Sequence, residues 1–317
     1  MSADAPLAQL DRVFGYEPKG RGFESLTACQ KKHICNQMCF FRYILIEGIR
    51  LQHVFSEEIN QMKITSLLEN TTKREDLKTE HGLSLYVETE DHTILFDMGQ
   101  TDLFFENAKV LGIDLAKVDL AILSHGHYDH GGGLGKFLKI NSQAPVYVHK
   151  DAFLPHYNGT DKYIGLDPTL KDHPRLFFTD GNLSMGGSLS LISRLSRSVT
   201  PPPSSLTERI GNEFVAEDFR HEQYLLIEEK GKRVLISGCS HRGILTITEE
   251  FVPDVLVGGF HFSKLPTDRQ LSEAARRLSA YPTNFYTCHC TGQAQYHWMQ
   301  RDMPRLRYLS CGQTIQL

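Results

Sequence analysis

The sequence predicts an α/β protein whose sheets are covered by helices. Short apolar runs of a few residues, each bounded by turn residues, recur from Met62 onward and read as strands. Helical patterns sit between some of them, at residues 103–111 and 268–278. The 317 residues are 40% hydrophobic and 23% charged, which supplies a core able to bury about 75% of the unfolded surface. That balance excludes a disordered chain, a collagen-like repeat and a membrane bundle.

In chain order, Met62 opens Lys63-Ile64-Thr65-Ser66-Leu67-Leu68-Glu69, a first strand that ends at Asn70. Further strands are expected at 83–87, 93–96, 120–123, 146–148, 175–178, 224–227, 234–236, 255–257 and 284–287. The helix at 268–278 follows Pro266-Thr267, as a capped helix should. Residues 197–205 (RSVTPPPSS) form a Pro/Ser loop, expected to be a mobile segment between the two halves of the sheet system.

Residues 1–61 differ in kind. Residues 11–26 carry two Pro/Gly-rich clusters and no sustained period of 2 or 3.6. Gly22-Phe23-Glu24-Ser25 resembles a translated transfer-RNA T-arm, so the expectation is a misassigned start: a poorly structured extension over 1–61 and a folded domain over 62–317. Cys29, Cys35 and Cys39 with His33 lack the paired C-x-x-C loops of a zinc knuckle and read as incidental.

Thirty-four basic against thirty-eight acidic residues give a net charge of −4, so there is no bulk positive field to hold nucleic acid. The longest apolar-looking run, 38–49, contains Arg42 and Glu47 and falls short of the ~20 residues a spanning helix needs. No basic, apolar, small-residue leader is visible, and seven cysteines without framework spacing point to a reducing, cytoplasmic compartment. The expected partner is a small-molecule substrate, with neither nucleic acid nor membrane.

The strongest signal follows the strand at 120–123: Ser124-His125-Gly126-His127-Tyr128-Asp129-His130-Gly131-Gly132-Gly133. Three imidazoles and a carboxylate within six residues offer the nitrogen and oxygen donors that Zn²⁺ prefers. Alternation across the turn can send His125 and His127 to one ion and Asp129 and His130 to a second. The glycines let the backbone pass close to the site and open a helix.

This run resembles the HxHxDH signature of the metallo-β-lactamase superfamily, which implies a four-layered αββα sandwich with metals at one edge of two facing sheets. Glu80-His81-Gly82-Leu83-Ser84, Ile94-Leu95-Phe96-Asp97-Met98-Gly99, Gly238-Cys239-Ser240-His241, Gly258-Gly259-Phe260-His261 and His289-Cys290-Thr291-Gly292 follow in the order of one subgroup. They are similar to the dihydropterin-ribofuranosyl-aminobenzene-phosphate synthase branch, many of whose bacterial members are known only as metal-dependent hydrolases.

The resemblance implies further donors at later strand ends. His241 is preferred over Cys239 as a ligand, because an imidazole needs no proton loss at neutral pH. The thiolate stays open as an alternative, because the superfamily commonly places a bridging Asp at that position. His289 is the ligand expected at the second ion, with Cys288 and Cys290 pointing away into the core if the pleat persists. His261 could ligate, hydrogen-bond the substrate or cap the sheet edge. His221 stands near a third superfamily histidine but is expected to be exposed. Asp97 is expected to orient a ligand histidine, and His81 is an added candidate. Tyr128 either offers its hydroxyl to substrate or packs. His156 is among the histidines read as ordinary surface or core residues.

The metal ligands are thus expected among His125, His127, Asp129, His130, His241, His289 and Cys239, and the catalytic residues among Asp129, Tyr128 and His261. Two divalent ions, zinc foremost, would lower the pKa of a water to about 7 and so favour hydrolysis of a small anionic or phosphorylated substrate. The subgroup name implies instead a transferase that releases pyrophosphate. The third reading is a metal-dependent sensor without turnover.

Overall fold

Alternation along the strands decides the layering. In the computed structural model, which describes residues 61–197 and 204–317, neighbouring side chains on one strand enter different cores. Leu85, Val87, Ile94, Phe96 and Ile122 meet Leu225, Ile227, Val234, Ile236 and Val257 between two sheets. Their neighbours Leu95, Ala121 and Leu123 turn outward, where Phe104, Ala108, Leu134 and Phe137 cover them. On the other side Leu226, Leu235 and Leu256 are covered by Ile244, Ile247, Leu271, Ala275 and Leu278. Strands buried on both faces read as continuous apolar runs, and helices must cover their outer faces. The result is the four-layered αββα sandwich. The expectations for the N-terminal extension and for the centre of the Pro/Ser loop fall outside the described residues.

Among the described residues each main sheet has seven strands. One runs Thr314–Gln316, Lys63–Leu68, Ser84–Glu88, Thr93–Phe96, Leu120–Ile122, Val146–His149, Leu176–Thr179. The other runs Leu306–Tyr308, Asn284–Thr287, Val255–Gly258, Lys232–Ile236, Tyr224–Glu229, Leu189–Ile192, Leu183–Gly186. Thr93–Phe96 through Leu176–Thr179 pair in parallel, as do Lys232–Ile236 through Leu306–Tyr308. Parallel neighbours bring their C-terminal ends to one edge, and the loops that leave those ends carry the chemistry.

The helix Leu103–Val110 matches its expected span to within a residue, and the second expected helix runs Arg269–Ser279 with Asp268 as its cap, accepting from Gln270 N and Leu271 N. The sequence pattern did not reveal a third sheet of four strands, Glu213–Ala216, Leu206–Ile210, His156–Asn158 and Lys162–Tyr163. Its strands are two to five residues long with polar and apolar residues mixed, too short for a period to mark them.

Candidate metal centre

Five loops converge at the edge formed by the parallel strand ends. Asp97 follows Thr93–Phe96, and the His125–His130 loop follows Leu120–Ile122. Cys239 and His241 follow Lys232–Ile236, His261 follows Val255–Gly258, and His289 follows Asn284–Thr287. Turning a side chain inward straight after a strand strains the backbone. Among the described residues seven non-glycine residues have positive φ; four of them, Asp97, Ser240, His261 and His289, stand on these loops, and a fifth, Phe219, stacks on His241. Strain of this kind, about 1–3 kcal/mol per residue, persists only where the surroundings hold it in place.

The side chains fall into adjoining groups with ligand atoms close enough to share an ion. His125, His127 and His241 form one; Asp129, His130, Cys239 and His289 form another. Cys239 and His241 therefore do not compete for one place; each joins a different group. His261, Cys239 and Cys290 make a third association. This corrects the expectation for Cys290: the pleat ends at Thr287, His289 turns left-handed at φ 48°, and the Cys290 thiol comes to the site edge. Cys288 does enter the inter-sheet core.

Hydrogen bonds fix which nitrogen carries the proton in three of the imidazoles. Asp97 Oδ2 accepts from both Ser124 Oγ (2.7 Å) and His130 Nδ1 (2.7 Å), while Oδ1 accepts from Ser124 N (2.7 Å). Because Ser124 gives its only hydroxyl proton to Asp97, its oxygen accepts from His125 Nδ1 at 2.8 Å. His289 Nδ1 donates to Asn70 Oδ1 at 2.8 Å. A bare Nε2 lone pair remains on His125, His130 and His289. His130 Nε2 lies 3.1 Å from Cys239 Sγ and His289 Nε2 lies 3.4 Å from Asp129 Oδ2.

These lone pairs are the test of whether a metal fits. His125 Nε2, both ring nitrogens of His241, His261 Nδ1 and His289 Nε2 are buried without a hydrogen-bond partner. Buried polar atoms are nearly always satisfied, so this many orphans converging at one edge fit a cation as their common partner. Burial, then the neighbouring imidazoles, pushes His125 and His241 well below the usual histidine range and keeps both neutral. Asp129 is held well below the usual carboxylate range: burial opposes ionisation, but His130, His289 and His81 outweigh it when they carry protons in the metal-free site, a positive charge that a bound cation would replace. His81 Nε2 lies 3.2 Å from Asp129 Oδ2.

The two sheets are stitched together beside the site. Buried Glu222 accepts from the backbone N–H groups of His241 (2.7 Å) and Arg242 (3.0 Å) and from the Tyr224 hydroxyl (2.6 Å). Gln223 donates to Leu123 O (2.8 Å) and Tyr147 O (3.2 Å). The Tyr128 hydroxyl meets Lys162 Nζ at 3.4 Å. His221, expected at the surface, is 1% exposed: Phe219, left-handed at φ 55°, turns the chain inward ahead of the strand Tyr224–Glu229. His156 and Glu217, buried beside His127 and His221, were not singled out by any local pattern.

The sequence pattern of the metallo-beta-lactamase superfamily matches residues 77–280. The chain belongs to that superfamily. Among relatives of this metallo-beta-lactamase superfamily chain, the uncharacterized protein MJ0448 of Methanocaldococcus jannaschii is 28% identical over 253 residues, 72% of this chain and 90% of that protein. A second protein of that organism, 7,8-dihydropterin-6-methyl-4-(beta-D-ribofuranosyl)-aminobenzene-5'-phosphate synthase, is 26% identical over 82% of this chain and 98% of its own length. The crystal structure of Tm1679, a metal-dependent hydrolase of the beta-lactamase superfamily, superposes with a TM-score of 0.70 at 28% identity, covering 81% of this chain and 99% of the other. Among the described residues, no helix of this superfamily member is long and apolar enough to cross a membrane.

Proposed function

We propose that the chain is a metal-dependent hydrolase that works through two divalent ions, zinc foremost, on a small anionic or phosphorylated substrate in the cytoplasm. The observation that carries this reading is the set of inward lone pairs on buried imidazoles in two adjoining donor groups. His125, His127 and His241 would hold one ion; Asp129, His130, His289 and Cys239 would hold the other. Ions there would supply Lewis acidity and bring the pKa of a water to about 7.

The remaining roles belong to the chain. Asp129, kept ionised by its imidazole neighbours, can accept a hydrogen bond from the attacking water and aim it. His261, its ring centroid 4.3 Å from that of His241 and its Nδ1 unpartnered, is placed to hold or pass a proton to a leaving group. For the substrate, a cavity of about 380 Å³ is lined by Lys150, Arg194, Arg220 and Arg242 together with Asp151 and Asp180. Arg242 directly follows His241, and its guanidinium donates to the Ser193 carbonyl at 2.6 Å. Lys150 and Arg194 pair with Asp180, and Arg220 pairs with Asp151, Glu208 and Asp218, so Arg242, next to the donor His241, is the cation of that lining best placed to meet an anionic group.

The test is turnover of metal-loaded protein against phosphoesters, lactones and thioesters in heavy-oxygen water. Label in a product supports hydrolysis; no label across the panel overturns it. The similarity to the methanogen synthase over nearly that protein's full length favours one alternative, a transferase. Release of pyrophosphate with an unlabelled condensation product would establish that reading instead.

A further inference from the structure

Glu217 is a second buried carboxylate packed against the metal loop, beside Asp97, and no lysine or arginine forms an ion pair with it among the described residues. Its side chain is fully buried among three imidazoles. His127 Nε2 lies 3.2 Å from both carboxylate oxygens, and His221 Nε2 lies 2.5 Å from Oε1. His156 Nδ1 lies 2.8 Å from Oε1 without hydrogen-bond geometry, and its ring stacks on His221 with centroids 4.2 Å apart. Like any carboxylate at neutral pH it is ionised, and facing three imidazoles it can only accept.

The third sheet delivers these groups. His156 opens the strand His156–Asn158. Glu217 follows the strand Glu213–Ala216, and its N–H extends the ladder to Leu206 O at 3.1 Å. Arg220 then straps the loop, meeting Glu208 at 2.7 Å, Asp218 at 3.1 Å and Asp151 at 3.2 Å.

The four residues His127, His156, Glu217 and His221 stand close enough to hold an ion of their own. Proton placement argues otherwise. The Gly126 backbone N–H donates to His221 Nδ1 at 2.8 Å, so that nitrogen is bare and the proton of the neutral ring sits on Nε2, facing Glu217. A nitrogen carrying a proton has no lone pair for a metal. The same logic applies to His127: facing a carboxylate that only accepts, its Nε2 must carry the proton, which leaves Nδ1 as its bare donor atom.

We propose that Glu217 and His221 are positioning residues that clamp the metal loop at two adjacent points, His221 holding the Gly126 backbone and Glu217 fixing the tautomer that makes His127 Nδ1 the metal donor. The proposal rests on the reading of His127 as a ligand. Carboxylate–histidine–metal chains of this kind change metal affinity by about 10–100-fold when the carboxylate is altered. What is specific here is that the carboxylate comes from a separate sheet and is itself held by a histidine that grips the residue between the two ligands His125 and His127.

Glu217→Gln separates shape from proton placement. The amide has nearly the same volume; its oxygen must stay opposite the His221 Nε2–H, so its NH₂ takes the other position, 3.2 Å from His127 Nε2, where it opposes that N–H unless the ring proton moves to Nδ1. Nitrogen-labelled histidine in the metal-free protein reports the tautomer directly. The wild type should show the His127 proton on Nε2, and E217Q should show it on Nδ1. Competition with a chelator should show the first ion bound about 10–100-fold more weakly in E217Q, at least as weakly as in E217A. In His221→Asn the amide oxygen still accepts from Gly126 while the arm to Glu217 is cut, and a smaller loss in the same direction is expected. Should E217Q fail to fold, H221N carries the test.

Wild-type affinity and tautomer in E217Q, full rescue of E217A by Gln, or no change in H221N would each overturn the clamp. So would a third bound equivalent of zinc that E217Q alone abolishes. Failure of the wild type to bind any ion would overturn the hydrolase reading instead, while the tautomer measurement would still test the clamp.

Discussion

Asp97→Asn should cripple the site without moving the backbone. Asp97 sits at φ 60°, a conformation that asparagine tolerates as well as aspartate, so the substitution removes only a charge and an acceptor. The wild-type carboxylate accepts three hydrogen bonds at 2.7 Å, from Ser124 N, Ser124 Oγ and His130 Nδ1. If the new NH₂ replaced Oδ2, it would face two donors, so it should replace Oδ1 and oppose the Ser124 N–H alone. That leaves a buried N–H unsatisfied, costing about 1–3 kcal/mol, and turns two charge-assisted bonds into neutral ones at about 1 kcal/mol each. The sum is about 3–5 kcal/mol, which for a domain of this size lowers the melting temperature by about 6–20 °C. His130 loses its anionic anchor, and through Ser124 so does His125, so metal affinity should fall about 10–100-fold. Thermal melts of metal-free protein and chelator competition on loaded protein read the two effects separately. A D97N protein within about 1 kcal/mol of wild type and within twofold in affinity would refute the argument that this carboxylate orients both histidines.

Three further outcomes follow from the same geometry. In Gly126→Ala the new methyl would run into the Ala152 carbonyl, so the loop between His125 and His127 must shift; metal content should drop and stability fall by about 1–3 kcal/mol, as elemental analysis and melts would show. Cys239→Ser and His241→Ala should each lower metal occupancy, but at different ions, leaving about one equivalent in each case; loss in only one variant assigns the site to that donor alone. His125, His221 and His241 are depressed below 6.5 by burial, His221 to about 3, so below pH 6.5 the unfolded chain takes up protons that the folded chain refuses. Stability of the metal-free protein should therefore fall as pH drops from 6.5 to 5, by up to about 1.4 kcal/mol per unit for each histidine, and a flat melting profile would count against their burial as neutral rings.

What the sequence made legible here depended on how far apart the cooperating residues lie in the chain. His125, His127, Asp129 and His130 fall within six residues on one strand-to-helix turn, so local order alone exposes them. The strands that present them are likewise local, because apolar runs at 93–96, 120–123 and 284–287 carry their own boundaries in the flanking turn residues. Glu217 meets His127 across 90 positions, and Cys239 meets His130 across 109. The strands that bring Glu217 and His156 inward are four and three residues long, too short for an apolar period to betray them. Glu217 and His221 do stand four apart, but without a visible helix that spacing has no meaning until the structure closes Gly126 onto the imidazole. Hence a motif of this kind identifies donor types before it identifies donor atoms: the choice of Nδ1 on His127 and Nε2 on His125 is made by Glu217 and Ser124, and the first of those is invisible to any local reading.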